Sequence, residues 1–143
     1  MMNTQLKWLY TTEVSAEGGR AGEVRGAKPE FVASLSTPTE FGGTGEKGTN
    51  PEQLFAAGYA ACFQSALQGV ATSRKITLEN SVVTARVRLG VDPTGVYGLD
   101  VRLNVQIPDM DSAQTLALAH ATHQVCPDSR ATRGNITVEI TAS

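Results

Sequence analysis

Residues Asn50 to Ala71 read NPEQLFAAGYAACFQSALQGVA. Asn50 is a good N-cap, Pro51 fits the first helical position, where its missing N–H costs nothing, and Gln53 stands where a capping-box partner would, so a helix is predicted to start here. From Leu54 onward only Gln64, Ser65 and Gln68 interrupt the apolar run. A helix without a polar face belongs in the interior of something, and this one is too short and too broken to span a bilayer. Inside it sits Cys62, one of 2 cysteines in the chain. The other, Cys126, closes a second predicted helix, and the pair is the first place to look for chemistry.

The chain has 143 residues, a formal charge of -2 and a pI near 5.6. That length suits one domain, better buried if it dimerises. The charge argues against a nucleic-acid surface, which ordinarily carries an excess of Lys and Arg. The opening MMNTQLKWLYTTEV has no apolar run of the kind an export signal carries, so the expected location is cytoplasmic. In that compartment the cysteines are expected to be free, metal-binding or redox-active rather than a structural disulfide. Asn135-Ile136-Thr137 has the form of a glycosylation sequon, incidental in such a chain.

Upstream of the helix, Leu6, Trp8, Tyr10 and Thr12 alternate at period two, predicting a strand over Leu6–Val14 with a turn at Gly18-Gly19. Glu23–Gly26 is the return strand, Phe31–Ser36 another strand ended by Pro38, and Phe41–Thr49 a glycine-rich connector. Downstream, Val83, Ala85, Val87, Leu89 and Val91 share one face of a strand with Arg86 and Arg88 on the other. After a turn at Pro93-Thr94-Gly95 the alternation resumes with Leu99, Val101, Leu103, Val105 and Ile107, giving an antiparallel hairpin. Asp111 caps the second helix, with Gln114 three residues on and Leu116, Ala117, Ala121 and Val125 expected to face inward; Pro127 ends it. Ile136, Val138 and Ile140 make a last strand. Blocks of strands around two helices predict an α+β fold with antiparallel sheet.

Gly43-x-Gly45-x-x-Gly48 matches the dinucleotide fingerprint literally, but the helix starts after the glycines and no βαβ unit surrounds it, so a connector or lid is the reading preferred. His120, His123, Cys126 and Cys62 could be imagined as metal ligands. Cysteine-histidine zinc sites use tight paired spacings that are absent here, so each His is read as a surface or hydrogen-bonded helix residue and no metal is expected. A mid-helix cysteine can equally be inert core or reactive. The macrodipole gives little help so far from the helix end, and burial raises a thiol pKa, so a reactive Cys62 needs a cation beside it; Arg20, Arg130 and Arg133 are the candidates.

TNPEQLFAAGYAACF (Thr49–Phe63), HQVCP (His123–Pro127) and ATRGNI (Ala131–Ile136), with LYT (Leu9–Thr11), GGR (Gly18–Arg20) and LSTP (Leu35–Pro38), resemble the organic hydroperoxide resistance proteins of the OsmC/Ohr family over essentially the whole chain. The resemblance implies an intertwined homodimer in which antiparallel sheets wrap two central helices. It implies a thiol-dependent peroxidase for organic and fatty-acid hydroperoxides, without a cofactor, reduced by a dithiol of a lipoyl-protein system. It assigns Cys62 the peroxidatic and Cys126 the resolving role, with Arg20 and Glu52 in the polar network around the thiolate. The chain departs from the family's CPYSNATRGN at Asp128, in place of Tyr, and at Arg130, in place of Asn. Those changes bear on the surface around Cys126 and on the choice of reductant, not on the cysteine chemistry.

Glu52 and Cys62, ten positions apart on one helix, are separated by about 15 Å of rise, which points to two subunits with crossing helices sharing each site. Phe41, Phe55, Tyr59, Phe63 and Met110 can wall a thiol with apolar surface suited to an alkyl chain, core packing being an equal reading for Phe55 and Tyr59. A redox sensor or binding module that turns nothing over, a metal site and a domain with two inert thiols are the rival readings.

Overall fold

The predicted central helix forms as one continuous α1 (Pro51–Ser73). It closes in a Schellman turn without glycine: Lys75 takes φ 59° and the Ile76 N–H donates to the Ala71 carbonyl at 2.8 Å. The computed structural model describes residues 5–28 and 30–143; residues 1–4, where the segment read for an export signal begins, lie outside the description. The chain divides into two compact units, Met1–Pro51 and Glu52–Ser143.

In the second unit, β4 (Val82–Val91), β5 (Tyr97–Gln106) and β6 (Val138–Ala142) form a sheet in that order. The β4–β5 hairpin pairs Val82 with Gln106 through Val91 with Tyr97, as the alternation predicts. Its turn is held by the Asp92 carboxylate, which accepts from the Thr94 and Val96 amides at 2.8 and 3.1 Å. Val101, Leu103, Val105 and Ile107 are buried, whereas Val91, expected inward, is exposed at the hairpin end.

The expectation of a purely antiparallel sheet is corrected at β6, which runs parallel to β5 with Val101 opposite Val138. Two helices intervene between these strands, α2 (Ser112–His123) and α3 (Pro127–Thr132). A crossover of that length returns the chain in the same direction. Pro127 does stop α2, but it also opens α3, occupying a first-turn position where no N–H is needed.

The inward face of α2 also differs from expectation. Asp111 caps it, accepting from the Gln114 amide at 2.7 Å, but the buried residues are Thr115, Leu118, Ala119 and Thr122. Ala117 is exposed and Val125 is 60% exposed. The two threonines can be buried because each hydroxyl donates to the carbonyl four residues back, Asp111 at 2.9 Å and Leu118 at 2.8 Å, leaving no unpaired polar group. The core joins Tyr59, Phe63, Leu67 and Ala71 of α1 to the β5 residues, Leu118, Ala119 and Cys126. Only this row of α1, at spacing four, is sealed; Phe55, Ala57, Gly58, Ala61, Ser65 and Gly69 are exposed.

In the first unit, β1 (Val14–Glu17), β2 (Glu23–Gly26) and β3 (Val32–Ser34) form an antiparallel sheet in chain order. The strand expected over Leu6–Val14 is assigned only from Val14 onward: the Glu13 carbonyl still accepts from the Ala27 amide at 3.2 Å, but no described segment of the chain pairs along residues 6–12. Trp8, Leu9 and Tyr10 are 80–87% exposed. The glycine-rich connector returns to pair Leu35 with Thr49. Its glycines serve packing: a Cβ on Gly43 would stand 1.8 Å from the Thr37 carbonyl oxygen, and one on Gly48 2.8 Å from the Ser36 nitrogen. The fold is mixed α+β, with two three-stranded sheets.

Candidate active site

Cys62 lies in the fourth turn of α1, half-buried, and Cys126 caps α3, fully buried. The segment between α2 and α3 turns Cys126 toward α1, its amide donating to the Thr122 carbonyl at 2.9 Å. Both are free thiols, with the Cys126 Sγ–H directed at the Cys62 Sγ over 3.8 Å. That is contact between unbonded sulfurs; a disulfide needs about 2.05 Å. Cys62 opens onto a shallow groove of about 500 Å³ along α1, lined by Ala66, Gly69, Val70, Val125 and Pro127 with Ser65 and Ser73.

The sequence reading of Asp128 stopped at the surface around Cys126. Asp128, two residues beyond Cys126, also acts on the Cys62 thiol, its backbone favouring the thiolate and its carboxylate opposing it. Burial pushes the Cys62 thiol up to about 11, the negative charge of Asp128 and the neighbouring Cys126 adding to the rise while the amide opposes it. Burial likewise raises the Asp128 carboxyl, opposed by the Cys62 thiol. No guanidinium of the Glu52–Ser143 unit contributes at Cys62 among the described residues. Arg130 is exposed, and Arg133 donates to the His123 carbonyl. Neither is the cation sought there.

A second group missed in the sequence secures α3. Tyr59 Oη lies 2.9 Å from Ser129 Oγ and 3.1 Å from Thr132 Oγ1, and Ser129 Oγ lies 2.7 Å from His123 Nδ1. Tyr59, Ser129 and Thr132 are buried. Burial, then the charges of Arg133 and His120, hold His123 below its ordinary value, favouring neutral imidazole inside the network. Only the spacing of Ser129 and Thr132 to one face of a short helix hinted at it.

Among the residues expected to wall the thiol, Tyr59 and Phe63 are wholly within the core, and Met110 packs against it. Phe55 is 37% exposed and meets Tyr59 edge-on, ring centroids 6.1 Å apart. In the first unit, the Arg20 guanidinium carbon lies 5.0 Å from the Phe41 ring centroid, so two candidate residues far apart in sequence are brought together. Arg20 is held in a one-turn 3-10 helix, Gly19–Ala21. Glu52 lies in the first turn of α1, half-buried, and because α1 is continuous it stands about 15 Å of rise from Cys62.

Residues 43–141 match the family of OsmC-like proteins. The organic hydroperoxide resistance protein of Xanthomonas axonopodis pv. citri (strain 306) is 48% identical over 136 residues, spanning 94% of this chain and 95% of its own. The chain belongs to the OsmC/Ohr family. An organic hydroperoxide resistance protein from Legionella pneumophila superposes with a TM-score of 0.89 at 44% identity, over 96% of this chain and 99% of that one. OhrB of Bacillus subtilis superposes with a TM-score of 0.86 at 39% identity, over 94% and 98%. Family membership and the paired thiols agree in pointing to organic hydroperoxide resistance. Among the described residues no three His, Cys, Asp or Glu side chains gather as a metal site, and no helix is long and apolar enough to cross a membrane.

Proposed function

We propose that the protein is a cysteine-based peroxidase that reduces organic and fatty-acid hydroperoxides to alcohols. The observation that carries this reading is the pair of free sulfurs 3.8 Å apart, one opening onto an apolar groove and the other sealed behind it. The Cys62 thiolate attacks the distal peroxide oxygen, the O–O bond breaks, and an alkoxide leaves to become the alcohol. Cys62 is then a sulfenic acid; the Cys126 thiol condenses with it, forming the disulfide and releasing water. A dithiol reductant, of the lipoyl-protein kind, returns both thiols by exchange and is itself oxidised.

The thiolate needs a cation that the Glu52–Ser143 unit does not supply at Cys62, and Arg20 is the residue proposed for that role, oriented by Glu52. Arg20 would also stabilise the leaving oxyanion. Phe41, stacked on Arg20, with Phe55 and Met110, is proposed to extend the apolar wall for the alkyl chain. The site is proposed to be completed in a homodimer. The unsealed face of α1, the aromatic segment at residues 6–12 with no strand beside it among the described residues and the axial separation of Glu52 from Cys62 all favour a second copy.

Intact mass tests the chemistry. A small excess of cumene hydroperoxide should remove two hydrogens from the reduced protein, and Cys126→Ser should gain one oxygen on Cys62 instead. Multiple turnover with dihydrolipoamide distinguishes an enzyme from a sensor that is oxidised once. An unchanged mass would overturn the reading.

A further inference from the structure

Resting on the peroxidase reading, we propose that Tyr59 is a positioning residue for the resolving step: its hydroxyl seats α3 on α1 and so holds Cys126 in reach of the sulfenic acid at Cys62. α3 runs only over Pro127–Thr132, too short to be stable by itself. Its buried residues are Ser129 and Thr132, so what it turns toward the core is a pair of hydroxyls rather than an apolar side chain. Both meet Tyr59 Oη, at 2.9 and 3.1 Å. Tyr59 precedes Cys62 on α1 by one turn and lies on the same side of the helix. The anchor of α3 and the sulfur that Cys126 has to reach are therefore separated by only about 4.5 Å of rise.

The backbone of the corner between α2 and α3 decides where the Cys126 sulfur lies. The Cys126 amide donates to the Thr122 carbonyl at 2.9 Å, its carbonyl accepts from the Arg130 amide at 3.0 Å, and its side chain makes no capping bond to α3. The hydroxyl network ties both flanks of that corner. Ser129 Oγ, after it, lies 2.7 Å from Nδ1 of His123, before it, and the His123 carbonyl accepts from Arg133. The hydrogens can run either way. Thr132 donates to Tyr59, Tyr59 to Ser129 and Ser129 to a bare Nδ1; or Nδ1–H donates to Ser129, Ser129 to Tyr59, Tyr59 to Thr132, and Thr132 to the Ser129 carbonyl at 3.1 Å. Tyr59 is the middle link in both, and without its hydroxyl the chain is cut between α1 and α3. The sulfurs, 3.8 Å apart, must close to about 2.05 Å. A misplacement of about 1 Å in such an approach can cost about a hundredfold in rate.

The step needs no reagent beyond the two side chains. The Cys126 sulfur attacks the sulfenic sulfur, the S–S bond forms and the S–O bond breaks, and the hydroxide leaves with the Cys126 proton as water; the electrons lost by one sulfur are gained by the other. Its competitor is a second hydroperoxide, which gives an oxygen to the same sulfenic acid and leaves sulfinic acid and alcohol. The ratio of sulfinic acid to disulfide therefore measures how promptly Cys126 arrives. The test reads that ratio by intact mass after a pulse of cumene hydroperoxide, and the rate of Cys62 thiol loss by alkylation and peptide mass, in the parent, Tyr59→Phe and Ser129→Ala. The parent should lose two hydrogens with little two-oxygen product. In each variant Cys62 should be consumed within about twofold of the parent rate, while the ratio at equal peroxide rises at least about tenfold. The double variant should rise no further than the larger single effect, because both substitutions remove one link. General loss of structure cannot give this pattern, since it would slow the first step as well. An unchanged ratio in both variants, or thiol loss slowed as much as disulfide formation, would overturn the positioning role and leave the peroxidase standing. A parent whose mass does not change would overturn both.

Discussion

At Cys62, two effects push the sulfur in opposite directions. Burial and the Asp128 carboxylate favour the thiol, pushing it up to about 11, while the proposed chemistry requires thiolate and therefore Arg20. Replacing Arg20 with Gln should move the titration of Cys62, followed by thiolate absorbance, back toward that value. It should slow peroxide reduction by about two orders of magnitude, since a neighbouring charge is worth about one to three pKa units. The Tyr59, Ser129 and His123 network gives a separate prediction. Tyr59→Phe should cost about 1 kcal/mol and Ser129→Ala about 2 kcal/mol in urea unfolding, because the latter strands His123 Nδ1. The double variant should fall short of the sum, the two sharing one hydrogen bond. His123 also confers a pH dependence. Its folded value lies below the unfolded 6.5, so the unfolded chain takes up the proton first. Stability is thus held above about pH 6.5 and lost as pH falls through the lower folded value; in His123→Asn the acid slope should flatten.

Among the elements, those with local signals were legible in the sequence and those defined by a partner were not. Asn50-Pro51 announced α1, Asp111 announced α2, and the alternation from Val83 to Ile107 announced the β4–β5 hairpin with nearly its whole buried face. The same alternation at Leu6–Thr12 misled, because a strand exists only where something pairs with it. The face of α2 was misassigned because Thr115 and Thr122 look polar in sequence yet satisfy their hydroxyls on their own helix. The direction of β6 depended on a crossover that includes α3, an element hidden behind a proline read only as a stop. The two cysteines came forward as a pair because the chain has no others and each falls on a predicted helix, while their separate roles came through resemblance; the influence of Asp128 on the Cys62 thiol is one no periodicity encodes. Two substitutions probe the elements. Leu103→Ala, in the fully buried middle of β5, should cost about 2–5 kcal/mol in urea unfolding. Gly43→Ala, which sets a Cβ 1.8 Å from the Thr37 oxygen, should cost about 2 kcal/mol by the same measurement.

For the molecule as a whole, the Met1–Pro51 unit has Leu35 as its one buried hydrophobic residue among those described, and leaves Trp8, Leu9 and Tyr10 uncovered. A second copy is the proposed cover. Sedimentation velocity should give twice the 15.1 kDa chain mass, and Trp8→Ala with Tyr10→Ala should shift that species toward monomer. The sulfur pair carries a further consequence at this scale. Cys62 and Cys126 stand 64 positions apart, so joining them ties a covalent ring around the hairpin and α2. Restricting an unfolded loop of that length makes the oxidised chain about 4 kcal/mol harder to melt than the reduced one. By reciprocity the intact fold grips the bond by the same amount, setting it about 90 mV more reducing than in a floppy chain. On the proposed cycle the spent protein would be the tougher of the two forms, and regeneration, not peroxide removal, the half-cycle that works against the architecture.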